Sequence, residues 1–180
     1  ESLALRRRHL EGRTFAEIAD ELGRSVERAR QIEAKAMRKA RCRFLPQAFR
    51  MAVPVAARLD SERGMIHPRD LDPPMAAVAP GVLAATLQIA GNGGVTVCWG
   101  ELLTRKGAAT PTDRARLLAA ALRETGRASA SLDQIAAIWA AALGYRPGTA
   151  ALTALLRLGL GLAANEAGVV RWDTLRVVQH

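Results

Sequence analysis

The side chains best suited to chemistry lie near the start of the run SVERARQIEAKAMRKAR, residues 25–41. Near its start lie Glu27, Arg28, Arg30 and Gln31, whose donors and acceptors match the edges of nucleic-acid bases. Arginine pairs with guanine, glutamine pairs with adenine, and glutamate accepts a hydrogen bond from cytosine. The order of these residues therefore predicts a helix that reads a duplex. The alternative interpretation is a solvated charged face, for which the order of the charges has no importance.

Two helices around a glycine turn are predicted to position those side chains. Thr14 and Glu17 form a capping box that begins the first helix, and Gly23 ends it. Ser25 is a good N-cap for the second helix. We therefore predict a helix-turn-helix over residues 1–43, whose second helix enters the major groove by its N-terminal residues. The candidate DNA-binding residues are Ser25, Glu27, Arg28, Arg30, Gln31, Lys35 and Arg38, of which the last two suit phosphates.

The same run resembles a known family. ERARQIEAKAMRK, preceded by TFAEIADELG, is similar to the end of region 4 of the primary bacterial sigma factors, which recognises the −35 promoter element. The resemblance covers about residues 2–43 and implies base or phosphate contacts for the charged residues at the helix start. Val26 stands where the family usually carries a base-reading arginine, and Ala29 replaces a larger aliphatic residue. Nothing downstream resembles a sigma factor, which favours another kind of transcription regulator.

Basic charge is concentrated in this first segment. The chain of 180 residues has a net charge of +9. Residues 1–50 carry 13 basic and 7 acidic residues, residues 51–113 carry 5 and 6, and residues 114–180 carry 8 and 4. A basic protein of this size is expected near a polyanion, and duplex DNA is the partner that the first segment predicts.

Several classes of function are not indicated by any motif. Cys42 and Cys98 have no ligand-like neighbours, so we expect no metal site or disulfide, and we expect both thiols to be buried. No phosphate loop or other catalytic motif occurs, and no apolar run of 18 residues occurs, so we expect no enzyme, no cofactor and no membrane contact. These patterns favour a cytoplasmic, nucleoid-associated protein. The chain begins at Glu1 rather than methionine, from which we expect a missing upstream segment.

Beyond residue 41 the chain is predicted to repeat itself with an offset of 73 residues. RCRFLPQAFR at 41–50 aligns with RARLLAAALR at 114–123, and Leu59 aligns with Leu132. Five further pairs are expected at equivalent positions: Leu45 and Leu118, Leu83 and Leu156, Leu87 and Leu160, Asn92 and Asn165, and Trp99 and Trp172. Both tryptophans are expected in the core. The predicted fold is mainly α, a helix-turn-helix followed by two winged-helix repeats at 41–107 and 114–180.

The second copy shows the predicted plan more clearly. Ser131 and Gln134 form a capping box, Gly144 ends that helix, and Pro147 begins the next. Residues 169–178 are β-prone and predict a hairpin. This copy is net positive and is the better candidate to touch phosphates, whereas the first copy is expected to dock or to act as a spacer. The alternative is that both copies are protein-docking modules of a larger assembly, such as RNA polymerase or a defence complex.

Overall fold

The computed structural model describes residues 2–92 and 94–172 and is mainly helical, with two small antiparallel sheets. The helices are α1 (Ser2–Leu5), which continues as a π-helical turn (Arg6–Leu10), α2 (Phe15–Leu22), α3 (Val26–Ser61), α4 (Pro80–Ile89), α5 (Pro111–Glu124), α6 (Leu132–Leu143) and α7 (Thr149–Ala154), which continues as a second π-helical turn (Leu155–Gly159). The strands are β1 (Met65–Ile66), β2 (Val95–Cys98), β3 (Leu102–Arg105), β4 (Ser129–Ser131) and β5 (Val169–Arg171). Two short 3-10 turns, Pro68–Asp70 and Met75–Ala77, lie between β1 and α4. The predicted mainly α class is confirmed at this level.

The N-terminal helices form a small core of their own. Ala4, Ile18, Ala19 and Ala29 are each at most 2% exposed and pack together. Small alanine side chains let α1, α2 and the start of α3 approach closely, so few atoms suffice to fix their geometry. The predicted capping box at the start of α2 is present, with its two reciprocal hydrogen bonds.

Helix α3 runs without a break for 36 residues, about 54 Å. The domain boundary predicted at residues 41–43 therefore lies inside a helix, and the first two predicted modules share that helix. Pro46 and Pro54 occur within α3, yet they do not end it. Tertiary contact explains this, because the second half of α3 packs its buried face on α4.

The three-stranded sheet serves two hydrophobic cores at once. Its strand order is β1-β3-β2, all antiparallel. Ile66 and Leu103 belong to the core formed with α3 and α4, whereas Met65 and Leu102 belong to the core formed by α5, α6 and α7. Neighbouring residues of a strand point to opposite faces, so each strand contributes to both cores. The middle unit (residues 44–105) thus contributes residues to the core of the C-terminal unit (residues 111–172) as well as to its own.

The second sheet differs from the hairpin predicted at 169–178. β5 pairs antiparallel with β4, and Val170 also forms a bridge with Ala164. The partners of β5 therefore precede it in the chain. Residues 173–178 lie outside the described residues. The predicted start of the third helix at Pro147 is also shifted, because Gly148 is the N-cap of α7.

The predicted offset of 73 does not superpose equivalent elements. Leu59 lies near the end of α3, whereas Leu132 begins α6. Leu45 is 39% exposed and Leu118 is 1% exposed, so this predicted pair is wrong as well. Leucine and alanine recur along every amphipathic helix, and such repeats match one another at more than one offset.

The asparagine and tryptophan pairs are likewise not equivalent. Asn92 precedes β2, whereas Asn165 precedes β5. β5 pairs with β4, the first strand of the C-terminal unit, in the way that β3 pairs with β1, the first strand of the middle unit. Asn165 therefore precedes the counterpart of β3, not the counterpart of β2. Trp99 lies in the β2–β3 turn with a positive φ of 51° and is half-buried. Trp172 is 4% exposed and lies in the C-terminal core, as expected for a packing residue.

Polar groups also join the middle unit to the C-terminal unit. Asp70 of the middle unit accepts hydrogen bonds from the backbone N–H groups of Ala150 and Ala151, both at 2.8 Å. These N–H groups belong to the first turn of α7, which leaves them without partners inside the helix. The middle unit thus supplies the capping carboxylate of a helix in the next unit.

A second carboxylate, Glu62, lies buried beside the same helix start. Its Oε2 accepts from the N–H of Gly148 at 3.2 Å. Arg58 Nε forms an ion pair with Oε1 at 2.6 Å. Burial raises the pKa of Glu62 above its ordinary value, and these two contacts only partly oppose that effect.

Candidate DNA-binding surface

The first turns of α3 project from the helix-turn-helix as the sequence predicted. Gly23 ends α2 in the left-handed conformation, with φ 58°. Ser25 then caps α3, its Oγ accepting from the N–H of Arg28 at 3.2 Å. Ala29 and Ala36 are 0% and 5% exposed on the inner side of the helix. The opposite side of α3 is therefore presented outward.

All seven predicted site residues are exposed in the structure: Ser25, Glu27, Arg28, Arg30, Gln31, Lys35 and Arg38. Arg28, Gln31, Lys35 and Arg38 have the spacing i, i+3, i+7 and i+10, which places them on one face of α3. We call these four residues and Glu27 the reading face. It extends about 16 Å along the helix. A major groove about 12 Å wide admits an α-helix. Within it, Arg28 Nη1 donates to Gln31 Oε1 at 3.1 Å.

Arg30 is the predicted residue that the fold separates from this face. Its guanidinium carbon lies 5.6 Å from the centroid of the Phe15 ring at the start of α2. Arg8 lies over the same ring at 4.8 Å. Two arginines therefore flank an aromatic ring beside the reading face, in positions suited to the nucleic-acid backbone rather than to bases. Sequence reasoning missed Arg8, because only tertiary packing brings residues 6–10 next to α2.

Ion pairs hold the rest of the basic N-terminal cluster in place. Arg7 pairs with Glu21 at 2.6 Å and with Glu11 at 2.5 Å. The Arg7 guanidinium lowers the pKa of Glu11 and is itself shifted upward in pKa by the two carboxylates. His9 Nε2 lies 2.9 Å from Glu33 Oε1, which joins the π-helical turn to α3. These ion pairs connect residues 6–10 to α2 and to α3.

The start of α3 is exposed, whereas α4 and α7, the third helices of the middle and C-terminal units, are largely covered. Every residue of α4 is buried or half-buried, because it packs on α3 and on residues 6–10. In α7 and its π-helical extension the exposed residues are Thr149, Thr153 and Arg157. Arg157 Nη2 forms an ion pair with Glu101 of the middle unit at 2.5 Å. Neither helix offers an open basic face.

The cysteines differ from expectation. Cys42 is exposed on α3, so the prediction that it is buried is wrong, and Cys98 is half-buried. Within the described residues, no group of three or more His, Cys, Asp or Glu side chains could hold a metal ion. None of the helices in that part of the chain is both long and apolar enough to cross a membrane.

The family comparison agrees with the geometry of the N-terminal segment. Residues 1–41 match the family model described as Sigma-70, region 4, which confirms the resemblance of this segment. The segment is therefore similar to a DNA-binding helix-turn-helix linked to transcription. The comparisons with curated proteins and with solved structures gave no match.

Proposed function

We propose that the chain is a sequence-specific duplex DNA-binding protein that regulates transcription through the reading face of α3. One observation carries the proposal: the polar residues that the sequence marks for base and phosphate contact are all exposed at the capped start of α3. The match of residues 1–41 to sigma region 4 supports the same assignment. The chain would act by binding rather than by catalysis.

The length of α3 supports a role for the rest of the chain in positioning a partner. Because the reading face and the middle unit share one helix, a duplex held by that face would have a defined orientation relative to residues 44–105. A flexible linker would leave that orientation free. The downstream units would then be placed at a fixed distance along the DNA or toward another protein.

Substitutions at the start of α3 give a direct test. The triple variant Arg28→Ala, Arg30→Ala, Gln31→Ala removes two positive charges; Arg28 and Gln31 lie on the reading face, and Arg30 lies beside it. The double variant Arg116→Ala, Arg127→Ala removes the same charge from exposed positions in the C-terminal unit. A preferred duplex is first selected from a random pool, and affinity is then measured by fluorescence anisotropy. We expect the triple variant to weaken binding by on the order of tenfold or more and the double variant to change it little.

Salt dependence separates specific reading from general attraction. The unmodified protein should lose affinity steeply as salt rises, because phosphate contacts release counterions. Preference for the selected duplex over a scrambled duplex should vanish in the triple variant. Equal losses in the two variants would contradict the assignment of the reading face and leave only a general effect of charge.

For the downstream units we propose two winged-helix-like copies that dock on protein. The strand order β1-β3-β2, and the pairing of β5 with both β4 and Ala164, support this topology. In such folds the third helix reads DNA when it is exposed, but α4 and α7 are largely covered. Their covering favours the second candidate function, an adaptor whose partner is RNA polymerase or another assembly. Tethered-protein footprinting on DNA would reveal contacts from residues 44–172 if the units instead touch phosphates.

A further inference from the structure

Helix α3 carries an exposed apolar stripe beyond the reading face. Leu45, Phe49 and Val53 are 39%, 47% and 60% exposed, and they follow one another at i, i+4 and i+8. Such spacing places them in one row about 12 Å long. We call these three residues the α3 stripe. Cys42, one turn before Leu45, is exposed as well.

The fold itself does not account for the α3 stripe. The core of the middle unit uses a different row of α3: Ala48, Ala52, Val55 and Leu59, each at most 5% exposed. A helix face in contact with water alone normally carries polar residues. Contiguous large apolar side chains on a protein surface instead mark a site of interaction.

Charge around the α3 stripe restricts its partner. Residues 34–59 contain seven basic residues and no acidic residue. Arg43 and Arg50 are exposed along one edge of the stripe, and Arg38 lies at its N-terminal end. Pairing with a second copy would bring these like charges together, which costs free energy. A nucleic-acid backbone would satisfy the arginines but would leave phenylalanine and leucine against phosphate.

We propose that the α3 stripe binds an amphipathic helix of a partner protein, with an apolar ridge that is flanked by acidic residues. The ridge would pack on Leu45, Phe49 and Val53, and the acidic flank would face Arg43 and Arg50. Packing of an apolar helix face on an exposed apolar surface is a common mode of recognition, and complementary charge selects the partner. This inference does not depend on DNA binding by the reading face.

The α3 stripe lies close to the reading face on the same helix. Gln31, Lys35 and Arg38 continue into Cys42, Leu45 and Phe49 at alternating spacings of three and four residues, so the stripe lies on the same side of α3 as the reading face. Arg38 and Leu45 are about 10 Å apart along the helix axis. A helix on the stripe would therefore lie directly beside a duplex held by the reading face.

Two synthetic peptides test the chemistry of the partner. Each is a fluorescein-labelled helix of about 20 residues with leucines on one face; one carries glutamates on both flanks and the other carries lysines. We expect the glutamate peptide to bind the full chain and the lysine peptide to bind on the order of tenfold more weakly. The variant Leu45→Ser, Phe49→Ser, Val53→Ser should weaken the glutamate peptide by at least about tenfold. Leu117→Ser is the control, because Leu117 is 48% exposed and lies on α5.

Charge reversal gives a signature that misfolding cannot imitate. Arg43→Glu with Arg50→Glu leaves the stripe intact, so the preference should invert: the lysine peptide should bind and the glutamate peptide should not. Circular dichroism should show unchanged helix content in every variant, because the changed side chains are exposed. Affinity for the selected duplex should change little in the serine variant, which separates this proposal from that of DNA binding.

Four outcomes would overturn the proposal. The first is no binding of the glutamate peptide to the unmodified protein, and the second is binding that the serine variant retains. The third is a dimer, seen by sedimentation equilibrium, that the serine variant abolishes, since the occupant would then be a second copy. The fourth is stripe-dependent binding to phosphatidylglycerol vesicles that exceeds binding to the peptide, since the occupant would then be a membrane surface.

Discussion

Asp70 offers the clearest test of how the middle and C-terminal units are joined. Its carboxylate accepts two backbone hydrogen bonds of 2.8 Å from the first turn of α7. Replacing a capping side chain by alanine costs about 0.5–2 kcal/mol, and losing a carboxylate at a helix N-terminus costs about 0.3–1 kcal/mol more. We therefore expect Asp70→Ala to lower the free energy of unfolding by about 1–3 kcal/mol.

Urea denaturation followed by tryptophan fluorescence measures this effect, because Trp139 and Trp172 are 0% and 4% exposed in the C-terminal core. With a denaturant slope of about 2 kcal/mol/M, the midpoint should fall by about 0.5–1.5 M. Asp72→Ala is the matched control, since Asp72 is exposed two residues later. Both cores should unfold together, because Met65 and Leu102 of the middle unit pack in the C-terminal core. A midpoint for Asp70→Ala equal to that of Asp72→Ala would refute the capping role.

Three further predictions concern pH and DNA. Burial raises the pKa of Glu62 above its ordinary value of 4.5, so the folded state holds this proton more tightly than the unfolded state does. The stability that this group contributes is therefore present at low pH and is lost as the pH rises above 4.5 and passes through the folded-state pKa. Glu62→Gln should therefore reduce this loss. Urea titrations at several pH values would then show a free energy of unfolding that depends less on pH than in the unmodified protein, and an unchanged pH dependence would contradict the prediction. Val26 is 45% exposed at the first helical position. Val26→Arg should shift selected sequences toward the standard −35 element, and strong selection of that element by the unmodified protein would contradict this. Lys35→Ala should weaken all duplexes alike and lower the salt slope by about 1, whereas a loss confined to one sequence would make Lys35 a base-reading residue.

Local hydrogen bonds explain why the helix starts could be predicted. Thr14 with Glu17 and Ser131 with Gln134 form the expected capping boxes, and Ser25 caps α3. Each of these interactions joins groups three residues apart, so the sequence contains both partners. For the same reason, helix spacing alone predicts that the residues of the reading face lie on one side of α3.

The downstream organisation could not be obtained in this way. The 73-residue offset rested on recurring leucines and alanines together with paired asparagines and tryptophans. Recurring apolar residues show that a helix is amphipathic but not which element it packs on. Leu45 shows the difference, because the offset pairs it with the buried Leu118 whereas it lies on an exposed side of α3. The packing of α3 on α4 buries a different row of α3 residues in the core.

The sequence by itself determined the capped helix-turn-helix, the composition of the reading face and the concentration of basic charge near it. Those properties depend on neighbours within one or two helical turns. Tertiary structure decided that α3 continues through Pro46, that Arg30 turns toward Phe15, and that Asp70 caps a helix 80 residues further along the chain. Each of these depends on contact with a distant segment. The free energy of such packing exceeds the local preference for a helix end or a side-chain direction, and local patterns carry no information about the distant partner.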